Sequence, residues 1–194
     1  MLIDTDLTRP LFVLGQGIST EELFYFIKQE YPNTAQISLE EFEQITKPMQ
    51  CIFGVQEPVY RRKFIQTNAS RPGCTWASWI HSSAVVATRR IGRNVVVNPN
   101  SMIGYDASLG DFCCVCPNAL ISHNAQLATN VFVGPAAVVG GSVNIGNNVF
   151  LGLGSMIKDK VTIADDVVVT MTSFVTKDIN TAGTHYGTKS RYRD

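Results

Sequence analysis

Three histidines, five cysteines and the glycine pair Gly15 and Gly17 are the residues in this 194-residue sequence from which a search for chemistry starts. His123 stands in Ile121-Ser122-His123-Asn124. An imidazole, with an unperturbed pKa of about 6.5, can take up and release a proton at neutral pH. Residue type alone leaves two readings open, a proton-transfer base or a solvated surface ring. His81 lies in WIHSS and His185 near the C-terminal end. Metal-ion hydration chemistry would need three histidines converging on one ion, and these three are scattered, so no metal is expected. Cys113, Cys114 and Cys116 are crowded in the manner of a soft-metal motif. An odd cysteine count with three members crowded does not make a secreted disulfide framework. Gly15 and Gly17, in PLFVLGQGIST, follow an apolar run and precede the amphipathic TEELFYFIKQEY. A strand, a glycine turn and a helix present backbone N–H groups to an anion. Gly15-x-Gly17 lacks the third glycine of a dinucleotide fingerprint, so a phosphate cradle and a purely structural turn both remain open.

The elements that must position these groups are legible in a period of six. From Ile91, every sixth residue through Val175 is Ile, Leu or Val, fifteen in all without an insertion. The residues four places further on, from Val95 to Ile179, are all small or aliphatic. Helices repeat every 3.6 residues and strands every two, so neither gives this pattern. A hexapeptide repeat marks a parallel β-helix, in which three short strands form one triangular coil of about eighteen residues. Asn94, Asn100, Asp106, Asn118, Asn124, Asn130, Asn148, Asp166 and Asp178 share one hexad position. Tight corners with positive φ favour such residues. Two weaker hexads, from Trp79 and Val85, are expected to begin the prism. Cys113 falls on an internal small position with its neighbours facing elsewhere, which argues against a cysteine metal site. His123 follows the internal Ile121 by two residues and so projects outward.

Residues 1–78 read as a small α/β unit. LFVL, QISL and MQCIFGV are strands. TEELFYFIKQEY is a helix starting at Ser19 and Thr20, and EPVYRRKFIQ is a second helix opening on Pro58. Residues 79–180 form the prism and 181–194 a tail. The fold class is thus a small N-terminal α/β (Rossmann-like fragment) domain followed by a parallel β-helix.

The hexads IGRNVV, VGPAAV and IGNNVF resemble the hexapeptide-repeat acyltransferases. With LFVLGQGISTEE, FGVQEPVYRRKFI and WIHSSAVVA ahead of them, nearly the whole chain resembles the sugar acetyltransferases of the bacillosamine, perosamine and sialic acid type. The resemblance implies a left-handed β-helix and acetyl-CoA as acyl donor. It further implies a nucleotide-linked sugar as acceptor, in surface-glycan synthesis, and a homotrimer with the donor held between prisms. The family motif of Ile-x-His followed four hexads later by Ile-Gly-x-Asn matches Ile121–Asn124 and Ile145–Asn148 in register. His123 is implied as the general base taking a proton from the sugar amine or hydroxyl.

Members usually follow that histidine with a carboxylate, where this chain has Asn124. One coil earlier lies Asp106, for which two readings stay open: it supplies the missing negative charge to His123, or it is another corner residue. One coil later lies Gly141, which would let a thioester approach and offer its N–H to the oxyanion. Phe132, Leu153 and Met171 fall on positions implied to contact the cofactor. Gly15, Gly17 and Ser19 are implied to receive the nucleotide-linked sugar, although Ile18 and Ser19 depart from the usual turn. Glu40 and Glu41 stand at the strand-end position of the family's acidic pair, and Glu40 is the expected acceptor contact. Gly187 and Arg191 match the family's C-terminal pattern while Lys189 replaces its proline. Basic groups there would meet CoA phosphates.

Composition narrows the alternatives. The chain is 16% charged, with 16 basic and 16 acidic side chains. A nucleic-acid binder would carry a basic surplus. No apolar run reaches the roughly 18 residues of a membrane span, and MLIDTDLTRP lacks signal-peptide layout. A cytoplasmic enzyme is expected. Two rivals share the β-helix: a scaffold that binds sugar nucleotides without turnover, and a γ-carbonic anhydrase-like hydratase, for which three histidines are too few and too scattered.

Overall fold

The computed structural model describes residues 1–3 and 9–187. Strand β1 (Leu2–Ile3) precedes an α/β unit of four parallel strands in the order β3-β2-β4-β5. These are β2 (Leu11–Leu14), β3 (Ala35–Ile37), β4 (Met49–Phe53) and β5 (Cys74–Trp76). β4 is buried along its whole length, as an apolar run covered on both faces should be. Helix α1 (Ile18–Glu30) follows β2, α2 (Leu39–Gln44) follows β3, and α3 (Pro58–Asn68) follows β4.

Helix α1 begins at Ile18, and its N-cap is Gly17, with φ of 94° and no side-chain cap. Ser19 and Thr20 therefore lie inside the first turn instead of capping it. The reason is conformational, because the chain enters the helix through a backbone angle that only glycine adopts cheaply. EEFEQ is the heart of a short helix, not a strand end. Ser38 Oγ accepts from Glu41 N at 3.1 Å and Glu41 Oε2 accepts from Ser38 N at 2.7 Å, a reciprocal cap. α3 opens on Pro58, with Glu57 accepting from Val59 N and Tyr60 N.

The rest of the chain is a left-handed β-helix of three sheets, with eight, six and five strands among the described residues, parallel except where β1 pairs antiparallel with the strand Ser78–Ile80. Between Arg90 and Val175 neighbouring coils pair eighteen residues apart, as in Met102 with Leu120 and Ile103 with Ile121. The aliphatic column from Val97 to Val175 is buried, as is the small column from Val95 to Ile179. Ile91 packs against them. From Asn94 to Thr172 every sixth residue has φ between 52° and 63°. Phe112 holds this left-handed conformation (φ 60°) without being Asn, Asp or Gly. Its ring is buried at 5.2 Å from that of Trp76, so apolar burial offsets the backbone cost.

The first two hexads run one residue out of the expected frame. Ile80 pairs with Val97 and Val86 with Ile103, so Ile80 and Val86 face the interior in place of Trp79 and Val85. The step from Val86 to Ile91 is five residues, one short of a hexad, and this sets both hexads off the frame. Trp79 lies outside the interior column, buried at the interface with the α/β unit, where its indole N–H donates to Glu30 at 3.0 Å. β1 and the strand Gly183–His185 are the outer rungs of the eight-stranded sheet.

The α/β unit covers the eight-stranded side. Leu11, Val13, Leu23 and Ile52 pack on Val96, Cys114, Cys116 and Phe132. This contact accounts for the crowded cysteines. Cys113 belongs to the prism interior, its neighbours belong to the interface, and all five cysteines are free.

Candidate active site

His123 stands at a corner of the prism, exposed, after the strand Leu120–Ile121. Repeat geometry fixes it there. Its carbonyl accepts from Ser142 N at 2.9 Å, and Asn124 N donates to Tyr105 O at 2.9 Å. Gly104 lets the coils close, since a Cβ there would lie 2.7 Å from His123 N. The imidazole lies against Gly141, where a Cβ would sit 2.7 Å from both Nε2 and Cε1. The structure thus brings His123 and Gly141 together.

Gly141 offers no free peptide group. Its N–H donates to Asp159 Oδ1 at 2.9 Å and its carbonyl accepts from Lys160 N at 2.9 Å. The expected oxyanion donor is already engaged by a carboxylate that sequence reasoning missed. The signal was available, because Asp159 lies one further eighteen-residue step along the column.

Asp106 occupies the corner position one coil before Asn124, both with left-handed φ, of 54° and 58°. Its Oδ1 pairs with Arg90 Nη1 at 3.3 Å, an exposed contact. The carboxylate expected to serve the imidazole is thus engaged by a cation of its own.

Phe132, Leu153 and Met171 line one apolar groove of about 450 Å³ with Phe150 and Pro135. Phe132 stacks on Phe150 at 4.7 Å with the rings 3° from parallel. Gly141 is not in this groove. Leu153 and Met171 rim the corner before the six-stranded side, whereas His123 and Gly141 form the corner after it. The side between the two corners carries Met102, Leu120, Val138, Met156 and Phe174, one per coil. Three of them, Met102, Met156 and Phe174, are 45–54% exposed.

In the α/β unit, Gly15 N donates to Ile37 O at 3.0 Å and its carbonyl accepts from Gln36 Nε2 at 3.0 Å. A Cβ on Gly15 would meet Val55 Cγ2 at 2.6 Å, while one on Gly17 would meet nothing within 4 Å. Gly17 therefore faces open space where the first N–H groups of α1 emerge without intrahelical partners. Ser19 lies in that first turn and Glu40, exposed, in the first turn of the adjacent α2. Glu41 is committed to Ser38, whose hydrogen bonds hold its carboxyl below the usual carboxylate range.

Among the described residues no group of three His, Cys, Asp or Glu side chains could hold a metal. No helix among them is long and apolar enough to cross a membrane. Gly187 N donates to Ser173 Oγ at 2.9 Å, while Lys189 and Arg191 lie outside the described residues.

This pairing of an N-terminal α/β unit with a left-handed β-helix defines the structural class. No protein-family profile and no curated protein sequence matches the chain. Solved structures do. The chain is similar to a GDP-perosamine N-acetyltransferase from Caulobacter crescentus, solved with a histidine replaced by alanine and in complex with CoA and GDP-perosamine. That match has 21% identity and a TM-score of 0.81 over 96% of each chain. It is also similar to the acetyltransferase domain of PglB from Neisseria gonorrhoeae in complex with acetyl coenzyme A. Here identity is 21% and the TM-score 0.82, over 92% of this chain and 96% of that one. WeeI from Acinetobacter baumannii matches at 16% identity and a TM-score of 0.73, over 87% and 92%.

Proposed function

We propose that the chain is an acetyltransferase that moves an acetyl group from acetyl-CoA to the amine or hydroxyl of a nucleotide-linked sugar, in cytoplasmic surface-glycan synthesis. The observation that carries the proposal is the His123 imidazole laid against Gly141 at an open corner, in a fold shared with nucleotide-sugar and acetyl-CoA complexes.

The apolar groove of Phe132, Leu153 and Met171 suits the donor, because it offers surface to a long, flexible and largely uncharged arm. Acetyl-CoA supplies an activated thioester. His123 takes the proton that the acceptor nitrogen or oxygen loses as it bonds to the acyl carbon, and that proton becomes available to the departing thiol. Asn124 orients the ring, and Asp106 adds a negative field moderated by Arg90. Gly15, Gly17, Ser19 and Glu40 hold the nucleotide-linked sugar, with its phosphates at the start of α1.

The working form is a homotrimer. The exposed column from Met102 to Phe174 separates the His123 corner from the donor groove within one prism. A neighbour covering that side would bury the column and set one copy's His123 beside another's groove.

The test is thiol release from acetyl-CoA with a panel of nucleotide-linked amino sugars and their hydroxyl counterparts, for the wild type and His123→Ala. Turnover with at least one acceptor and a loss of about 10²–10⁴-fold in the variant are expected. Turnover unaffected by the substitution would remove His123 from the mechanism.

A further inference from the structure

Arg61, on α3, is 3% exposed and takes no part in the chemistry proposed above. Its Nε donates to Asn130 Oδ1 at 3.0 Å, its Nη1 to Val55 O at 2.7 Å and its Nη2 to Phe112 O at 2.6 Å. Val55 belongs to the α/β unit. Phe112 and Asn130 are left-handed corner residues of the prism, with φ of 60° and 58°. These three acceptors are neutral. A buried cation is costly unless its donors are well engaged, so the guanidinium tolerates little displacement of either partner surface.

The contact extends both ways. Asn130 Nδ2 donates to Asn148 Oδ1 at 3.1 Å, and Asn148 Nδ2 donates to Asp166 Oδ1 at 3.0 Å. Asp166 closes the ladder on Arg62 at 2.8 Å. Consecutive arginines of one helix thus grip both ends of a three-rung ladder on the prism. In the other direction, the same Val55 whose carbonyl Arg61 holds abuts the glycine turn, its Cγ2 standing 2.6 Å from the place of a Gly15 Cβ.

We infer that Arg61 is a positioning residue for the acceptor site: through Val55 it fixes the glycine turn on the prism. The inference rests on the reading that this turn takes the nucleotide-linked sugar. The planar fork matters as well as the charge, because three acceptors on three segments are met at once.

The experiment compares full-length wild type, Arg61→Met and Arg61→Lys by calorimetric titration with UDP, GDP and acetyl-CoA, alongside a thermal melt. Nucleoside diphosphate affinity should fall about tenfold in Arg61→Met and less in Arg61→Lys, with acetyl-CoA affinity within twofold of wild type. A merely structural role would weaken both ligands together, and that result overturns the inference. Unchanged nucleotide affinity in a folded Arg61→Met overturns it too, while leaving the transferase reading intact. If Arg61→Met does not fold, Asn130→Ala carries the same test, with the same split expected. Failure of the wild type to bind either nucleotide overturns both the acceptor reading and the inference.

Discussion

Gly141 lies between His123 and Asp159 in one column of the prism, and its N–H donates to the Asp159 carboxylate at 2.9 Å. The donor nearest the candidate base is therefore occupied in this structure. A thioester oxygen that used it would first displace a carboxylate. Asp159→Ala should raise kcat/KM for acetyl-CoA severalfold, up to about tenfold, the worth of one charge-assisted hydrogen bond at an exposed site. Steady-state kinetics with varied acetyl-CoA check this. An unchanged value would place oxyanion stabilisation elsewhere.

Gly141→Ala separates catalysis from stability. The new Cβ would lie 2.7 Å from His123 Nε2, and the group that must give way is the end of an exposed side chain. Melting should therefore change little, whereas a displaced base should lower kcat by about 10²-fold. Paired melting and rate measurements distinguish this from general unfolding.

Two serines on the same internal column should respond in opposite directions. The single O–H of Ser101 has two carbonyl acceptors in reach, Asn98 O at 2.8 Å and Cys116 O at 3.0 Å, whereas Ser155 Oγ is buried without a partner among the described residues. Ser155→Ala should stabilise the protein by about 1 kcal/mol and Ser101→Ala should destabilise it by about as much. Urea denaturation midpoints report both.

Acid sensitivity should include a contribution from Glu30. Burial opposes its ionisation, but hydrogen bonds from Ser82 and the Trp79 indole prevail and hold it below its ordinary value of 4.5. A depressed carboxylate stabilises the fold above its unfolded pKa and loses that contribution as pH falls through the folded value. The melting-temperature advantage of wild type over Glu30→Gln should be full at about pH 6 and shrink below about pH 4.5. An advantage independent of pH would assign the effect to packing.

The exposed apolar column should be an interface between copies. Met156→Glu, one rung in from the Phe174 end of that side, should shift sedimentation from trimer to monomer and reduce acetyl transfer in proportion. A wild type that sediments as a monomer would refute the assembly.

Much of the prism was legible because burial there is nearly one-dimensional. Each hexad repeats the same two internal positions, so a spacing of six places Ile121 inside, His123 outside and Gly141 beside it. Legibility failed where a large side chain or a second surface intervened. Trp79 fits the sequence frame but not the interior, because the five-residue step from Val86 to Ile91 shifts the frame by one residue. Phe112 breaks the Asn pattern because Trp76 covers it. Arg61 reads as one charge on a polar helix, and only the docked prism shows it buried. Asp159 resembles any corner carboxylate until its bond to Gly141 is seen. In the front unit, the family resemblance puts Glu40 and Glu41 at a strand end, whereas the local Ser38–Glu41 cap makes them a helix start.

The eighteen-residue pairing makes the prism behave as a ruler. Adding or removing one whole coil beyond Lys160 would alter the length of the molecule while leaving His123, Gly141 and Asp159 in line. A single inserted residue between His123 and Gly141 would turn interior side chains outward and carry the glycine away from the ring. The chemistry of this corner therefore tolerates growth in steps of a full circuit and no smaller.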